Sequence, residues 1–311
     1  MPSIIDEVAH RLMKKFSRLN HSSSIFTIFI LLFIASVALG TVIYFIYNAV
    51  LQYSSEDVKP VEDSEYIIEN NKDVALSDKP KLTFVVMNLG MDKELFDYSV
   101  SKLQNNITFG ILPYSPYLTY INGVVRNKKI DSIINIPMET FDYFFQDNGP
   151  YSMLTNLSKK DNKSRLNMLK DKAKGFNGYY TSIDETFTDD EGDLLWLLEE
   201  LKDSNSIILY NDPRRTKPFI RSASKFNMED RVIKVDLLID HVLEGSEIDD
   251  RLQELKDIAD SRGNAIGVIR NYRLSIDKLS KWLEKFDNTL NYDIISLGKL
   301  ISDKKNGKAS R

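Results

Sequence analysis

Leu82-Thr83-Phe84-Val85-Val86-Met87 is an uncharged apolar run with the length and composition of a buried β-strand. A helical stretch, Asp92 to Leu103, follows it and carries apolar residues at helical spacing, namely Leu95, Phe96, Val100 and Leu103. A buried strand followed by an amphipathic helix is the unit from which parallel α/β folds are built. This stretch therefore predicts the fold class.

The same alternation continues as far as Phe286. The further predicted strands are Ile107 to Leu112, Ser132 to Ile136, Gly178 to Ser182, Ser206 to Tyr210, Arg231 to Val235 and Ala265 to Ile269. The further predicted helices are a short one before Ser132, then Lys160 to Lys172, Asp190 to Lys202, Ile248 to Ser261 and Ile276 to Phe286. The alternation predicts parallel strands joined by helical crossovers, in a barrel or an open sheet. In either arrangement function is expected at the carboxyl ends of the strands.

Residues 25–50 form a segment without charged side chains near the N-terminus. Their length of about 26 residues exceeds the roughly 20 that an α-helix needs to cross a bilayer. Basic residues precede the segment, and acidic residues follow it from Glu56 onward. This bias predicts one transmembrane helix with a cytoplasmic N-terminus. A signal peptide cleaved near Ala38 is the alternative, although the apolar run continues to Val50.

The chain is thus predicted to have five parts. They are a cytoplasmic basic tail at 1–24, a transmembrane helix at 25–50, an acidic linker at 51–80, the α/β domain at 81–290 and a C-terminal tail at 291–311.

Composition excludes several classes of function. The net charge of −4 argues against a nucleic-acid binder, which usually has a basic face. There is no cysteine, which excludes disulfides, thiolate nucleophiles and cysteine metal sites. Of the 3 histidines only His241 falls within the domain, where a surface position is the simpler interpretation than an acid–base role.

Six short segments lie at the predicted strands or in the loops between them, and most of them contain proline or glycine. They are Leu112-Pro113-Tyr114-Ser115-Pro116, Asn135-Ile136-Pro137-Met138-Glu139, Gly149-Pro150-Tyr151-Ser152-Met153-Leu154, Gly175-Phe176-Asn177-Gly178-Tyr179-Tyr180-Thr181-Ser182, Asp212-Pro213-Arg214-Arg215-Thr216 and Asp236-Leu237-Leu238-Ile239-Asp240. In order and spacing they resemble the divergent polysaccharide deacetylase family, a NodB-like relative of carbohydrate esterases in the bacterial envelope. The resemblance covers residues 81–286. It implies a deformed (β/α) barrel of about seven parallel strands.

The resemblance breaks at the reactive positions. The paired carboxylates of the family fall on Met87 and Asn88, and its histidines fall on Asn135, Tyr179 and Arg270. A metal-dependent deacetylase needs ligands for the metal, a base and an acid. Amide oxygens are poor zinc ligands, methionine is no base, and arginine is permanently protonated. The substitutions therefore predict a catalytically inactive domain without a metal site or cofactor.

A polar cleft is expected to remain at the strand ends, lined by Asn88, Asn135, Glu139, Tyr179, Asp212, Arg214, Asp236 and Arg270. No catalytic residue is assigned, and Asp212 and Asp236 are the candidates for such a role. One alternative is a divalent metal held by carboxylates alone, drawn from Asp212, Asp236, Asp240, Glu139 and Asp184. The other is that Asp212 and Asp236 pair with Arg214 or Arg270, or cap helices.

Three further clusters have two interpretations each. Asp189-Asp190-Glu191 resembles a metal cluster but precedes a helix, so a helix start is favoured. The aromatic loop of Phe141, Tyr143, Phe144 and Phe145 is either core or a surface that stacks on sugars or binds a partner. The Tyr179-Tyr180 pair leaves the same choice open.

The sequence therefore leads to three hypotheses about function. The first is an inactive deacetylase-like domain, anchored in the bacterial inner membrane by a single span, that binds peptidoglycan, another envelope glycan or an envelope protein in the periplasm. The second is a remodelled hydrolase, a deacetylase acting on envelope polysaccharide. The third is a structural envelope anchor.

Overall fold

The computed structural model describes residues 79–140, 149–181, 187–204, 206–210, 216–286 and 291–309, together with Thr41 and Tyr44. The chain divides into two units, Met1–Glu65 and Tyr66–Arg311, and the fold below is that of the second. The predicted tail at 1–24, the membrane span at 25–50 and the linker at 51–80 lie outside the described residues, apart from Thr41, Tyr44, Lys79 and Pro80. Within the described ranges, no helix has the length and hydrophobicity that a bilayer crossing requires.

Short strands alternate with helices along the whole domain. The strands are β1 (Lys81–Leu89), β2 (Thr108–Ile111), β3 (Ser132–Ile136), β4 (Gly178–Thr181), β5 (Ile207–Tyr210), β6 (Val232–Lys234), β7 (Leu237–Leu238), β8 (Asn264–Arg270) and β9 (Asp293–Ile294). The α-helices are α1 (Lys93–Lys102), α2 (Leu118–Lys128), α3 (Lys159–Lys172), α4 (Glu191–Leu201), α5 (Thr216–Ser224), α6 (Gly245–Arg262), α7 (Arg273–Phe286) and α8 (Leu297–Ala309). The predicted alternation is therefore confirmed.

The strands form one parallel sheet in the order β6-β5-β4-β3-β2-β1-β8-β7, and β9 pairs with β1. Helical crossovers separate most of the neighbouring strands, as parallel pairing requires. The sheet curls into a half-barrel, which confirms a (β/α) barrel-like fold.

One extended segment links the two edges of this half-barrel. Its first part, β6, pairs with β5, and its second part, β7, pairs with β8. The change of partner falls between Val235, whose N–H donates to the carbonyl of Tyr210, and Asp236, whose N–H donates to that of Ile266. A single stretch of chain therefore occupies the place of one barrel strand. Its first half matches the predicted strand Arg231 to Val235, whereas its second half, β7, has only two residues and was not predicted.

Alternation along the strands separates the barrel interior from the layer beneath the helices. On β1, Val85 and Met87 belong to the interior cluster, whereas Phe84 and Val86 pack in the cluster under α1, α6 and α7. The interior cluster consists of buried side chains from β1, β3, β4, β5, β6, β8 and α8. The barrel is therefore a packed core rather than a pore.

The C-terminal segment is part of this core, which corrects the expectation of a tail at 291–311. Strand β9 extends the sheet beside β1, and Leu297 and Leu300 of α8 are buried in the interior cluster. A salt bridge of 3.0 Å joins Asp303 of α8 to Lys81 at the start of β1. Helix α8 thus closes the end of the barrel opposite to the carboxyl ends of the strands.

Side-chain caps fix the starts of several helices. Asp92 precedes α1 and accepts from the N–H of Leu95, and Asp190 precedes α4 and accepts from that of Asp193. The interpretation of Asp189-Asp190-Glu191 as a helix start is therefore confirmed.

Candidate functional site

The inward-facing side chains at the carboxyl end of the half-barrel form a small group. Two of these side chains, Met87 and Tyr180, belong to the interior cluster itself. Because side chains alternate between the two faces of a strand, Asn135 and Arg270 face the interior as well, each two residues after a member of that cluster, and so does Asp240, two residues after Leu238 at the end of β7. Asn88 lies beside Met87 at the end of β1. We call these six residues the mouth.

Asn88 sits where the pairing of β1 with β2 shifts register, and its φ is 64°. Asparagine tolerates this left-handed conformation better than most residues. The bulge turns both the backbone N–H and the side-chain amide of Asn88 toward Tyr180. The Tyr180 hydroxyl accepts from that N–H and donates to Oδ1, each at 3.2 Å. The side chain of Asn88, which is predicted to line the cleft, is therefore held in place by the Tyr180 hydroxyl.

Tyr180 is the aromatic residue of the mouth and fills the barrel interior at its base. Its side chain is fully buried, and burial raises the pKa of the Tyr180 hydroxyl well above its usual range, so it stays a neutral donor. Gly110 on β2 makes room for the ring, because a Cβ there would lie 2.9 Å from Cε1 of Tyr180 and 3.3 Å from the Cα of Met87. A glycine inside a strand is the usual mark of such a close approach.

Arg270 ends β8 and pairs with Asp240, whose side chain is fully buried. The Arg270 Nε donates to Oδ1 of Asp240 at 3.3 Å, and the Arg270 backbone N–H donates to Oδ2 at 2.9 Å. Nη2 donates to the backbone carbonyl of Asp240, and Ser275 donates to Oδ2 at 2.8 Å. The guanidinium is thus fixed where the resemblance places a histidine.

The loops around the mouth are tied together by the segments that carry the resemblance. The Ser115 hydroxyl donates to the carbonyl of Gly90 at 2.6 Å, joining the loops that follow β2 and β1. The Tyr114 hydroxyl accepts from the N–H of Tyr151 at 3.0 Å, and the two rings stack at 5.1 Å. Gly149 has a φ of 87°, and a Cβ there would lie 2.7 Å from the Tyr114 ring. The scaffold of the site is therefore intact.

Two residues predicted in the cleft have other roles. Tyr179 faces away from the barrel interior and packs under the helices with Ile134 and Leu166, so Tyr180, not Tyr179, reaches the mouth. Glu139 accepts from both the N–H and the hydroxyl of Thr155 at 2.7 Å. It therefore holds the loop that follows β3.

Asp236 lies far from the mouth, which corrects its assignment to the cleft. Its carboxylate pairs with Arg262 at 3.0 Å and accepts from the N–H of Ile266 at 2.8 Å. Burial raises the pKa of Asp236 even with Arg262 beside it. Ile266 precedes Arg270 by four residues, or about 13 Å along the strand. The predicted pairing of aspartate with arginine is thus found, but as Asp236–Arg262 and Asp240–Arg270.

Other candidates lie outside the described residues. They are Asp212, Arg214, Asp184 and the aromatic residues Phe141, Tyr143, Phe144 and Phe145. His241 is described, and it is exposed beside the mouth.

The residues of the mouth do not fit the divalent metal that the resemblance implies. Its one carboxylate, Asp240, is saturated by Arg270 and Ser275, and a guanidinium beside it repels a second cation. Asn88 offers an amide oxygen that already accepts from Tyr180. Within the ranges that the structure describes, no three histidine or carboxylate side chains are grouped as a metal site. We therefore derive no metal-dependent step.

Known proteins share the barrel-like fold of this domain. The sequence model of the divergent polysaccharide deacetylase family matches residues 85–300. No curated protein matches the sequence. Among solved structures, the uncharacterized protein ATU2773 of Agrobacterium tumefaciens C58 is 21% identical, with a TM-score of 0.66 over 75% of this chain and 94% of that one. At this identity the similarity shows the fold alone.

Two weaker structural similarities are to a peptidoglycan deacetylase and to a pseudoenzyme. The peptidoglycan deacetylase PdaC of Bacillus subtilis is 15% identical, with a TM-score of 0.42 over 75% of this chain and 95% of that one. A mutant of BA3943, described as a CE4 family pseudoenzyme, is 10% identical, with a TM-score of 0.41 over 72% of this chain and 68% of that one. Neither contributes to the assignment of function.

Proposed function

The chain belongs to the divergent polysaccharide deacetylase family, and we propose that it is a catalytically inactive member that binds envelope glycan at the mouth of its half-barrel. The observation that carries the proposal is the Arg270–Asp240 pair. A permanently charged guanidinium, fixed by a buried carboxylate, stands among amides where the chemistry would need a metal and a base.

The mouth keeps groups that suit a sugar. Asn88 is exposed, and its amide nitrogen can donate while its oxygen is held by Tyr180. The Arg270 side chain is 29% exposed. Since the bonds from Tyr180 and Asp240 fix both groups in advance, binding costs less side-chain entropy. Amide and guanidinium donors on a rigid scaffold support recognition of hydroxyl and acetamido oxygens.

The domain is proposed to work on the periplasmic side of the bacterial inner membrane, held by the predicted span at 25–50. The support is the uncharged length of that segment and the basic residues before it. Protease added to spheroplasts should then digest the domain, while intact cells protect it. A domain that resists protease until the inner membrane is broken would contradict this orientation.

Glycan binding can be measured by isothermal titration of the full chain in detergent with a soluble N-acetylglucosamine oligomer. A chelator is present throughout, because the proposed binding uses no metal. Asn88→Gly keeps the positive φ and removes the amide, so we expect it to weaken binding about fivefold, equivalent to one hydrogen bond of about 1 kcal/mol.

Asn227→Gly is the matched control for this experiment. Asn227 is also an asparagine at positive φ (54°) and exposed, but it lies in the turn after α5, away from the mouth. It should bind as the wild type does. No binding by the wild-type chain, or equal loss in the two variants, would contradict the proposal. A protein ligand would then be the better hypothesis for this surface.

A further inference from the structure

Arg270, which ends β8, and Tyr272, which follows that strand, form a surface that differs from the amides of the mouth. Arg270 lies with its Cζ 5.1 Å from the ring centroid of Tyr272. The Tyr272 residue is 42% exposed, although large apolar side chains in this domain are mostly buried. The cation and the ring are therefore presented together to solvent at one edge of the site.

Two of the three guanidinium nitrogens of Arg270 donate hydrogen bonds within the domain. Its Nε and Nη2 donate to Asp240 and to the carbonyls of Asp240 and His241. Within the part of the chain that the structure describes, Nη1 makes no hydrogen bond. A guanidinium fixed on one side and partly exposed on the other is arranged to donate to an anion without reorganising.

Both carboxylate oxygens of Asp240 accept hydrogen bonds from groups other than Nη1 of Arg270. Its Oδ2 accepts from the backbone N–H of Arg270 and from Ser275, and its Oδ1 accepts from Nε. The negative charge of Asp240 cancels the positive charge of Arg270 at long range. An anion is therefore attracted only when it directly contacts the guanidinium. Hydrogen bonds between ionised groups are roughly twice as strong as neutral ones, which favours a carboxylate over a hydroxyl at Nη1.

We propose that Arg270 and Tyr272 form a subsite for a sugar residue that bears a carboxylate. The carboxylate accepts from Nη1 of Arg270, and the apolar face of the sugar ring packs on the exposed part of Tyr272. This inference rests on the proposed function and deepens it, because it makes the preferred ligand an acidic glycan rather than a neutral one.

The test compares two ligands that differ only in the charge of their carboxylate groups. An oligomer of alternating N-acetylglucosamine and N-acetylmuramic acid carries a carboxylate on every second sugar, and its methyl ester lacks that charge. The full chain in detergent is titrated with each at fixed salt. We expect the acid to bind at least tenfold more tightly than the ester, from one charge-assisted hydrogen bond.

Variants then assign the preference to Arg270. Arg270→Gln alone would leave the buried carboxylate of Asp240 without its cation, so it is combined with Asp240→Asn, which can still accept from Ser275. The double variant should bind acid and ester equally. Arg126→Gln is the control, because Arg126 is an exposed cation at the end of α2, close to the amino ends of the strands. It should keep the preference.

The outcomes separate the inference from the proposed function. Equal binding of acid and ester by the wild type overturns the acidic subsite and leaves glycan binding intact. A preference that survives in the double variant also overturns the subsite, because the discrimination then lies elsewhere. Failure of both ligands to bind overturns the proposed function itself. The wild-type comparison decides the first point even if the double variant does not fold.

Discussion

The contact between Tyr180 and Gly110 offers the sharpest test of how the mouth is built. Tyr180→Ala removes a fully buried ring and should lower the free energy of unfolding by about 3–5 kcal/mol, the usual cost of an aromatic-to-alanine change in a core. Tyr180→Phe keeps the ring and loses only the two hydrogen bonds to Asn88, at a cost of about 1–2 kcal/mol.

Gly110→Ala probes the same space from the opposite strand. The new Cβ would lie 2.9 Å from the Tyr180 ring, closer than packing allows, so we expect a loss of about 1–3 kcal/mol from overpacking. In the Tyr180→Ala background that ring is gone, and only the 3.3 Å approach to the Cα of Met87 remains. Most of the cost of Gly110→Ala should then disappear.

Urea unfolding followed by tryptophan fluorescence measures these energies, since both tryptophans, Trp196 and Trp282, are largely buried in this domain. The double-mutant cycle should give a coupling of about 0.5–3 kcal/mol, with the second substitution less costly when the ring is absent. If the two losses add within about 0.5 kcal/mol, the ring does not occupy the space beside Gly110 and the description of the mouth is wrong.

Three further predictions concern the parts that support the mouth. Gly149→Ala should destabilise the domain by about 1–3 kcal/mol in urea unfolding, because φ is 87° and the Tyr114 ring leaves no room. Leu300→Ala should cost about 2–5 kcal/mol and show that α8 belongs to the core; a change under about 0.5 kcal/mol would contradict this. Burial raises the pKa of Asp303, but the bonds from Lys299 and Lys81 outweigh it and leave that pKa below its ordinary 3.8. The stabilisation from Asp303 is thus present above pH 3.8 and lost as pH falls through the lowered pKa, so Asp303→Asn should flatten the acid limb of the stability curve.

The sequence was sufficient for most of the fold. The sequence predicts β3 at its observed bounds and most of the other long strands and helices within a few residues, because buried apolar runs alternate cleanly with amphipathic stretches. Helix α5 is the exception, because no helix is predicted over Thr216–Ser224. The two-residue strands β7 and β9 were missed, since they are too short to show a period. The sequence predicts a tail where α8 lies, because the burial of Leu297 depends on the barrel end that this helix closes.

The site was predicted less well, for a reason of geometry. A shift of one residue in a strand exchanges the two faces, so matching a motif to Tyr179 pointed to the wrong tyrosine. Gly110 within β2 was the available sign that a bulky side chain approaches from across the barrel. Asp240, rather than the predicted Asp236, pairs with Arg270 because the segment changes strand partner between Val235 and Asp236, which no local pattern reveals.

The most direct test of the whole account is acetate release by the full chain from an acetylated amino-sugar polymer, with zinc, cobalt, manganese or magnesium supplied in turn. Because Met87, Asn88 and Arg270 can neither hold a metal nor move a proton, we expect no release above that of the polymer alone with any of the four ions. Robust metal-dependent turnover that Asp212→Ala abolishes would show instead that this domain is a working deacetylase.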